Sequence, residues 1–323
     1  MLEYFASLNP MALLRACPGG IAQGLTWGIM ALGVYLTFRI LDVADLTVDG
    51  SLALGGAVCI MLVKAGMDPI LALLFSFLTG LVAGLVTGLL HTLLGIPSIL
   101  AGILTQISLY SINLNIMGKS NQSVNVNKVT FLFTSNTRLL GRTILILVVV
   151  LLALIALLYL YLGTEHGCSL RATGINRNMA RAQGINTQQM TVFGLALSNG
   201  LVALCGGVIS QYQGFADVNM GRGAIVIGLA AVIIGEVLGN AIMGKRMNFF
   251  LQLVFVVLGS IIYYTVYVFV LWLKFPADDM KLLTAIVVAL FLAVPYLQAA
   301  KKNSFSSVAR ENARLAKEAG KNA

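Results

Sequence analysis

Charged side chains are scarce in this sequence: Asp, Glu, Lys and Arg make up 10% of its 323 residues, against roughly 25% in soluble globular domains. So little charge excludes a chain that meets water on every side. Histidine occurs only twice, and the four cysteines, Cys17, Cys59, Cys168 and Cys205, form no CxxC pair. Neither a structural metal nor a disulfide framework is expected from such spacing. HExxH, GxSxG and paired intramembrane catalytic carboxylates are missing, so the sequence offers no catalytic constellation. One stretch imitates a phosphate-binding loop, Gly239 to Lys245, but Arg246 stands where Mg²⁺ needs a Ser or Thr hydroxyl. That stretch leaves an apolar run and follows no strand, which makes Lys245 and Arg246 inside-facing anchors. The chain is expected to bind no metal or cofactor and not to hydrolyse ATP by itself.

What the sequence has in abundance is apolar: 59% hydrophobic residues and a mean hydropathy of +0.91. An all-α, polytopic membrane protein follows. A bilayer core takes about 20 apolar residues per helix, and about nine such runs are predicted, at roughly 20–39, 41–63, 69–94, 97–117, 143–163, 188–210, 222–241, 249–272 and 281–299. The opening MLEYFASLNPMALLRACPGG has no Arg/Lys-led start, and the apolar run after it is too long for a signal-peptide core, so no cleaved signal is expected. Leu2, Tyr4, Phe5, Leu8 and Met11 give that opening the partly apolar face of a short interfacial helix. One membrane domain is expected over 1–300 and a basic tail over 301–323. The tail's Lys301, Lys302, Arg310, Arg314, Lys317 and Lys321 suit the anionic cytoplasmic leaflet. The formal charge of +9 is not laid out as a basic stripe with interleaved aromatics, so no nucleic-acid partner is expected.

Glycine is plentiful, 33 residues, and part of it recurs at four-residue spacing inside the runs. Gly20, Gly24 and Gly28 make one small face and Gly80, Gly84 and Gly88 another. Such faces let helices approach closely where lipid removes the hydrophobic drive. Two further runs depart from plain spans. LDVADLTVDGSLALGGA (41–57) and FADVNMGRGAIVIGLAAVII (215–234) both read Ala-Asp, then a polar, Gly-rich stretch, then an apolar run. With spans alternating across the membrane they point in opposite directions, the pattern of an inverted repeat with Gly-interrupted helices and a transport path at its interface. On that reading the path is lined by Asp45, Asp49, Ser51, Gln106, Asn113, Asn199, Asp217 and Asn219. A plainer reading stands beside it. The acids, Asp42 and Asp217 above all, can sit in water and cap the helix that follows, while lone polar residues such as Gln106 and Asn199 hydrogen-bond between helices. Glu236 and His91 fall near predicted span ends, where contact with water explains them.

The longest polar break is TEHGCSLRATGINRNMARAQGINTQQ (164–189). Asn176 is a good N-cap, residues 177–183 include good helix formers, and Gly184 stands where a terminating glycine belongs, which predicts a helix of about two turns. Arg171, Arg177 and Arg181 make it basic. The helix either lies on the membrane surface or docks on a partner. Arg171-Ala172, Gly174, Asn176, Ala180 and Gly184-Ile185 resemble the cytoplasmic loop of ATP-binding-cassette (ABC) importer permeases of the branched-chain amino acid and ribose type. The resemblance runs from about Gly24 to Pro295 and includes DLTVDGS (45–51) and the Gly-rich AVIIGEVLG (231–239). Asp45 to Ser51 lacks the aromatic-Ala-x-Gly pattern of the branched-chain members and looks more like permeases that handle aromatic amino acids such as tryptophan or tyrosine.

The resemblance implies the membrane-spanning subunit of a binding-protein-dependent importer of a small solute, with an aromatic amino acid favoured. It implies a coupling helix seated in a groove of an ATPase, through Arg171, Gly174, Asn176, Arg177, Asn178, Ala180, Arg181 and Gly184. Four kinds of partner are implied: the ATPase subunit, which holds ATP and Mg²⁺; an extracytoplasmic substrate-binding protein docking on loops 118–142 and 211–222; a second permease copy in a homodimer; and membrane lipid. The expected setting is a bacterial inner membrane, with the N-terminus outside and the tail cytoplasmic. Arg39, the loop arginines, Lys245, Arg246 and the tail then lie inside, while Lys119, Lys128, Arg138 and Arg142 lie outside. The competing expectation is an ion- or proton-coupled secondary transporter, in which Asp45, Asp49 or Glu236 titrates and no ATPase is needed.

Overall fold

The computed structural model describes residues 10–124, 133, 140–244 and 247–273, with a few further positions between 282 and 293. Residues 1–274 form one compact unit and 275–323 another. Most of the expected span at 281–299, the basic tail, Lys245 and Arg246, and most of the 118–142 loop fall outside the described residues.

Helix α1, Pro10–Tyr35, begins well before the predicted span. Of the expected interfacial helix, Leu2, Tyr4, Phe5 and Leu8 lie outside the described residues; from Pro10 on, Leu13, Leu14, Arg15 and Ala16 are good helix formers, and α1 runs through them and past Pro18 without a break. It closes in a π-helical turn, Leu36–Ile40, sealed by the Leu41 amide donating to the Leu36 carbonyl at 3.0 Å. Residues 41–47 are irregular, and α2, Val48–Lys64, starts only after them. The predicted span at 41–63 is thus corrected at its start. Asp42 takes a left-handed φ of 53°, which short acids tolerate, and the Asp45 side chain accepts from the Thr47 amide, so both hold the backbone out of a helix. α3 is Pro69–Thr92, with Asp68 capping it and proline in its first turn. α4, Ser98–Met117, stops at left-handed Gly118.

Strand β1, Asn121–Ser123, pairs antiparallel with β2, Phe215–Asp217. Between them in the chain lie α5 (Leu140–Gly163), α6 (Glu165–Ile175), α7 (Arg177–Ala182) and α8 (Thr187–Gln213). The chain then continues through α9 (Ala224–Met243) and α10 (Phe249–Trp272). Among the described residues seven helices are long and apolar enough to cross a membrane: α1, α3, α4, α5, α8, α9 and α10. α2 has 17 residues, about 25 Å at 1.5 Å per residue.

α8 and α1 form the middle, each 78% buried over its most apolar stretch, against 28% for α4 and α5. The glycine faces account for the closeness. Gly80, Gly84 and Gly88 of α3 lie directly on the α8 backbone, where a Cβ at Gly88 would come within 2.8 Å of the Val192 Cα. Gly20, Gly24 and Gly28 of α1 line up along α10, Gly24 on the Ile261 backbone and Gly20 and Gly28 against the side chains of Val268 and Val257.

These contacts fix helix direction. α8 runs against α1, since Gly33 meets Ser198 while Thr26 accepts from Cys205. α2 runs with α8, Ser51 reaching Asn199 and Gln211 reaching Cys59. α9 runs with α1, Gly228 touching Val34 and Met30 while Glu236 pairs with Arg39. α2 and α9 are therefore antiparallel, and each begins after an irregular stretch.

Candidate functional site

The N-termini of α2 and α9 meet. Asp49, in the first turn of α2, accepts from the Gly223 amide at Oδ2 (2.9 Å) and from the Ile225 amide at Oδ1 (3.0 Å). A carboxylate there satisfies the free amides that begin α9 and faces the positive end of its dipole. Gly221 lies so close to the Asp49 carbonyl that no Cβ would fit. Asp49 is 15 residues from Lys64, about 22 Å along the helix, and Lys64 donates to Gln122 of β1 at 3.1 Å. The junction thus lies within the helical bundle, well away from the hairpin end.

Beside the junction is a cavity of about 260 Å³, lined by Asp49, Gly50 and Ala53 of α2, by Gln106, Ile107, Tyr110 and Asn113 of α4, and by Val218 and Arg222. Asn113 is fully buried, and its Oδ1 has no hydrogen-bond partner. Its Nδ2 donates to the Gly50 carbonyl at a long 3.4 Å.

The eight predicted path residues separate into three groups. Asp49, Gln106 and Asn113 line the cavity. Asp45, Ser51 and Asn199 form a buried knot elsewhere: Asn199 donates from Nδ2 to Asp45 Oδ2 at 2.7 Å and accepts from Ser51 Oγ at 2.7 Å. The hydroxyls of Thr47, Thr87 and Thr105 extend the polar interior across α3 and α4, each step 2.9 Å. Asp217 and Asn219 sit at the hairpin end, where Asp217 accepts from the Asn219 amide at 2.7 Å and from Asn121 at 3.3 Å. Asp217 turns its own backbone and caps no helix. Tyr110 and Arg222 are cavity residues absent from the predicted path; for Arg222 the signal was a charge inside one of the two Gly-rich segments.

At the far end, α7 is the expected short helix. Asn176 caps it by accepting from the amides of Asn178 (3.1 Å) and Met179 (3.0 Å), and Gly184 has a φ of 81°. α6 was not foreseen, although Thr164 caps it through the Gly167 amide. The eight predicted coupling residues are not equivalent. Asn176, Arg177, Asn178 and Gly184 are exposed, and Ala180 is buried. Gly174 lies against the Ile40 carbonyl, Arg171 stacks 5.3 Å over the Phe249 ring, and Arg181 donates to Thr187 at 2.9 Å. The prominent apolar groups are ones the sequence reading left out, Ile175 (84% exposed) and Met179 (64%). Nearby, Arg39 pairs with Glu236 at 2.7 Å, and His91 Nδ1 lies 2.7 Å from the Ile96 carbonyl. The imitation phosphate loop begins in the last turn of α9, the wrong end of a helix for an anion.

Residues 18–295 match the family described as branched-chain amino acid transport system / permease component. A tyrosine transport system permease protein of Clostridioides difficile is 40% identical over 285 residues, 88% of this chain and 92% of that protein. An uncharacterized protein of Rickettsia prowazekii is 34% identical over 67% of this chain and 75% of its own length. The galactofuranose transporter permease protein of Escherichia coli is 27% identical over 88% of this chain and 79% of its own. No solved structure matches.

Proposed function

Since the chain belongs to the permease components of branched-chain amino acid transport systems, we propose that it spans the membrane for a binding-protein-dependent ABC importer of an amino acid, an aromatic one favoured. The observation that carries this reading is the cavity where the antiparallel α2 and α9 begin. Irregular backbone at membrane depth persists only where protein or a water-filled space satisfies it, and two such starts facing one another give a solute a polar place midway. The aromatic preference rests on the similarity to the tyrosine permease and on the departure of Asp45 to Ser51 from the branched-chain pattern.

Within this reading the three polar groups do different work. Asp49, Gln106 and Asn113 lie along the path, while Asp45, Ser51 and Asn199 hold α2 to α8 beside it. Asp217 and Asn219, with the strand pair, face outward toward the binding protein. The turn from α6 to α7 faces the cytoplasm and the ATPase, with Ile175, Arg177, Asn178 and Met179 as the contact. Gly174 on the Ile40 carbonyl links that turn to the π-helical end of α1, so a rigid-body pull on α6 and α7 reaches the segment leading to Asp45 and Asp49. Two copies form a homodimer in a bacterial inner membrane, N-termini outside and tails inside, and ATP and Mg²⁺ bind the ATPase. The ion-coupled alternative is not favoured, because the relatives are permease components of larger transport systems.

Affinity purification of the tagged chain from its own membranes, followed by mass spectrometry, tests the partnership. About one P-loop ATPase per permease is expected. Recovery of the chain alone, under conditions that keep it folded, would refute it.

A further inference from the structure

The cavity beside α2 and α9 contains an acid and a base that do not pair with each other. Asp49 and Arg222 both line it, yet among the described residues the ion pair is Arg39 with Glu236. Asp49 is held in place by two α9 amides, one on each oxygen, and each oxygen keeps a second lone pair. Asn113 adds a fully buried carbonyl oxygen that no donor reaches. Buried acceptors are nearly always satisfied, so this one marks a place for a donor from outside the chain. Ala53, Ile107, Tyr110 and Val218 supply an apolar wall. The volume, about 260 Å³, falls just below the range of drug-sized pockets.

We infer that this cavity reads the charged ends of a free amino acid, Asp49 and Asn113 taking the α-ammonium and Arg222 the α-carboxylate, with the side chain on the apolar wall. The inference rests on the importer reading and adds to it the chemistry by which the permease itself recognises its solute. A purely cationic ligand leaves Arg222 uncompensated, and a purely anionic one leaves Asp49 so. A neutral sugar compensates neither charge. A zwitterion satisfies both at once.

The test uses the full chain in lipid nanodiscs and saturation-transfer NMR with four probes. These are L-tyrosine, tyramine (no carboxylate), 3-(4-hydroxyphenyl)propanoate (no ammonium) and D-galactose. L-Tyrosine is expected to bind about tenfold or more tightly than either truncated probe, the loss of one charge-assisted contact, and galactose weakest of all. Arg222→Gln, whose native side chain makes no hydrogen bond or ion pair with the described residues, should make L-tyrosine and tyramine equal. Asp49→Asn should make L-tyrosine and the propanoate equal. Equal binding of the first three probes by the native chain, stronger binding of galactose, or an unaltered preference in Arg222→Gln would overturn the inference. ATPase co-purification is scored on the same membranes. An ATPase present with no amino acid bound removes this site and leaves the importer. Zwitterion binding with no ATPase keeps the site and removes the importer.

Discussion

Replacing Asn199 with alanine separates scaffold from path. In the native chain Asn199 is fully buried and bridges Asp45, from the irregular segment, to Ser51, in the second turn of α2. Its truncation leaves Asp45 Oδ2 without that donor and Ser51 Oγ without its acceptor. A hydrogen bond to a charged group contributes about 1.5–3 kcal/mol and a neutral one about 1 kcal/mol. Membrane proteins recover part of such losses through substitute partners, and measured polar contacts between their helices average only about 0.6 kcal/mol. Here recovery is limited, because the described residues place no cation beside Asp45 and the Asp45 side chain is closed off from water. A net loss of about 2–4 kcal/mol is expected. Thermal unfolding of the detergent-purified chain should show it as a fall of several degrees, with Arg222→Gln unchanged in the same series. An unchanged melting temperature in Asn199→Ala together with lost uptake would refute the reasoning and move the trio from the scaffold into the path.

Gly84→Leu should be at least as damaging, because a Cβ there comes within 2.7 Å of the Ala196 Cα, and overpacking against backbone costs about 1–3 kcal/mol or more. Gly141→Ala, with open space around it, should leave the melting curve in place. Met179→Asp and Ile175→Asp should abolish recovery of the ATPase without altering thermal stability, since both side chains are exposed. Arg181→Glu should act more weakly in that pull-down, as Arg181 is tied back to Thr187. Breaking the Arg39–Glu236 pair should cost under about 1 kcal/mol in a double-mutant cycle, because the Arg39 side chain is 60% exposed.

Much of the helical frame could be read from the sequence, because apolar runs and glycine spacing report directly on lipid contact and helix approach. α3, α4 and α10 begin within a residue of their predicted starts. The capping pattern of Asn176 and Gly184 located α7 for the same reason: capping is local chemistry. α6 was missed because its residues are polar and contain Gly167 and Gly174, which look like loop until Gly174 is seen to be the only kind of residue that fits against Ile40. α2 was started too early because hydropathy counts Leu41, Val43 and Leu46 as span. Only backbone geometry sets Asp42 and Asp45 apart. The resemblance to importer permeases holds, but the grouping of the polar residues could not be read in advance. Asp45 and Asn199 meet across 154 positions, and Asp49 reaches α9 across 174 and 176. Nothing in their spacing distinguishes a scaffold carboxylate from one on a cavity wall.

The most direct measurement is uptake of L-tyrosine into proteoliposomes containing the chain with its co-purified ATPase and binding protein. ATP and Mg²⁺ are supplied at the ATPase face or withheld, with and without a proton or sodium gradient. Uptake that needs ATP, needs the binding protein and ignores the gradient is the predicted result. Uptake by the chain alone under an ion gradient, with ATP making no difference, would contradict it.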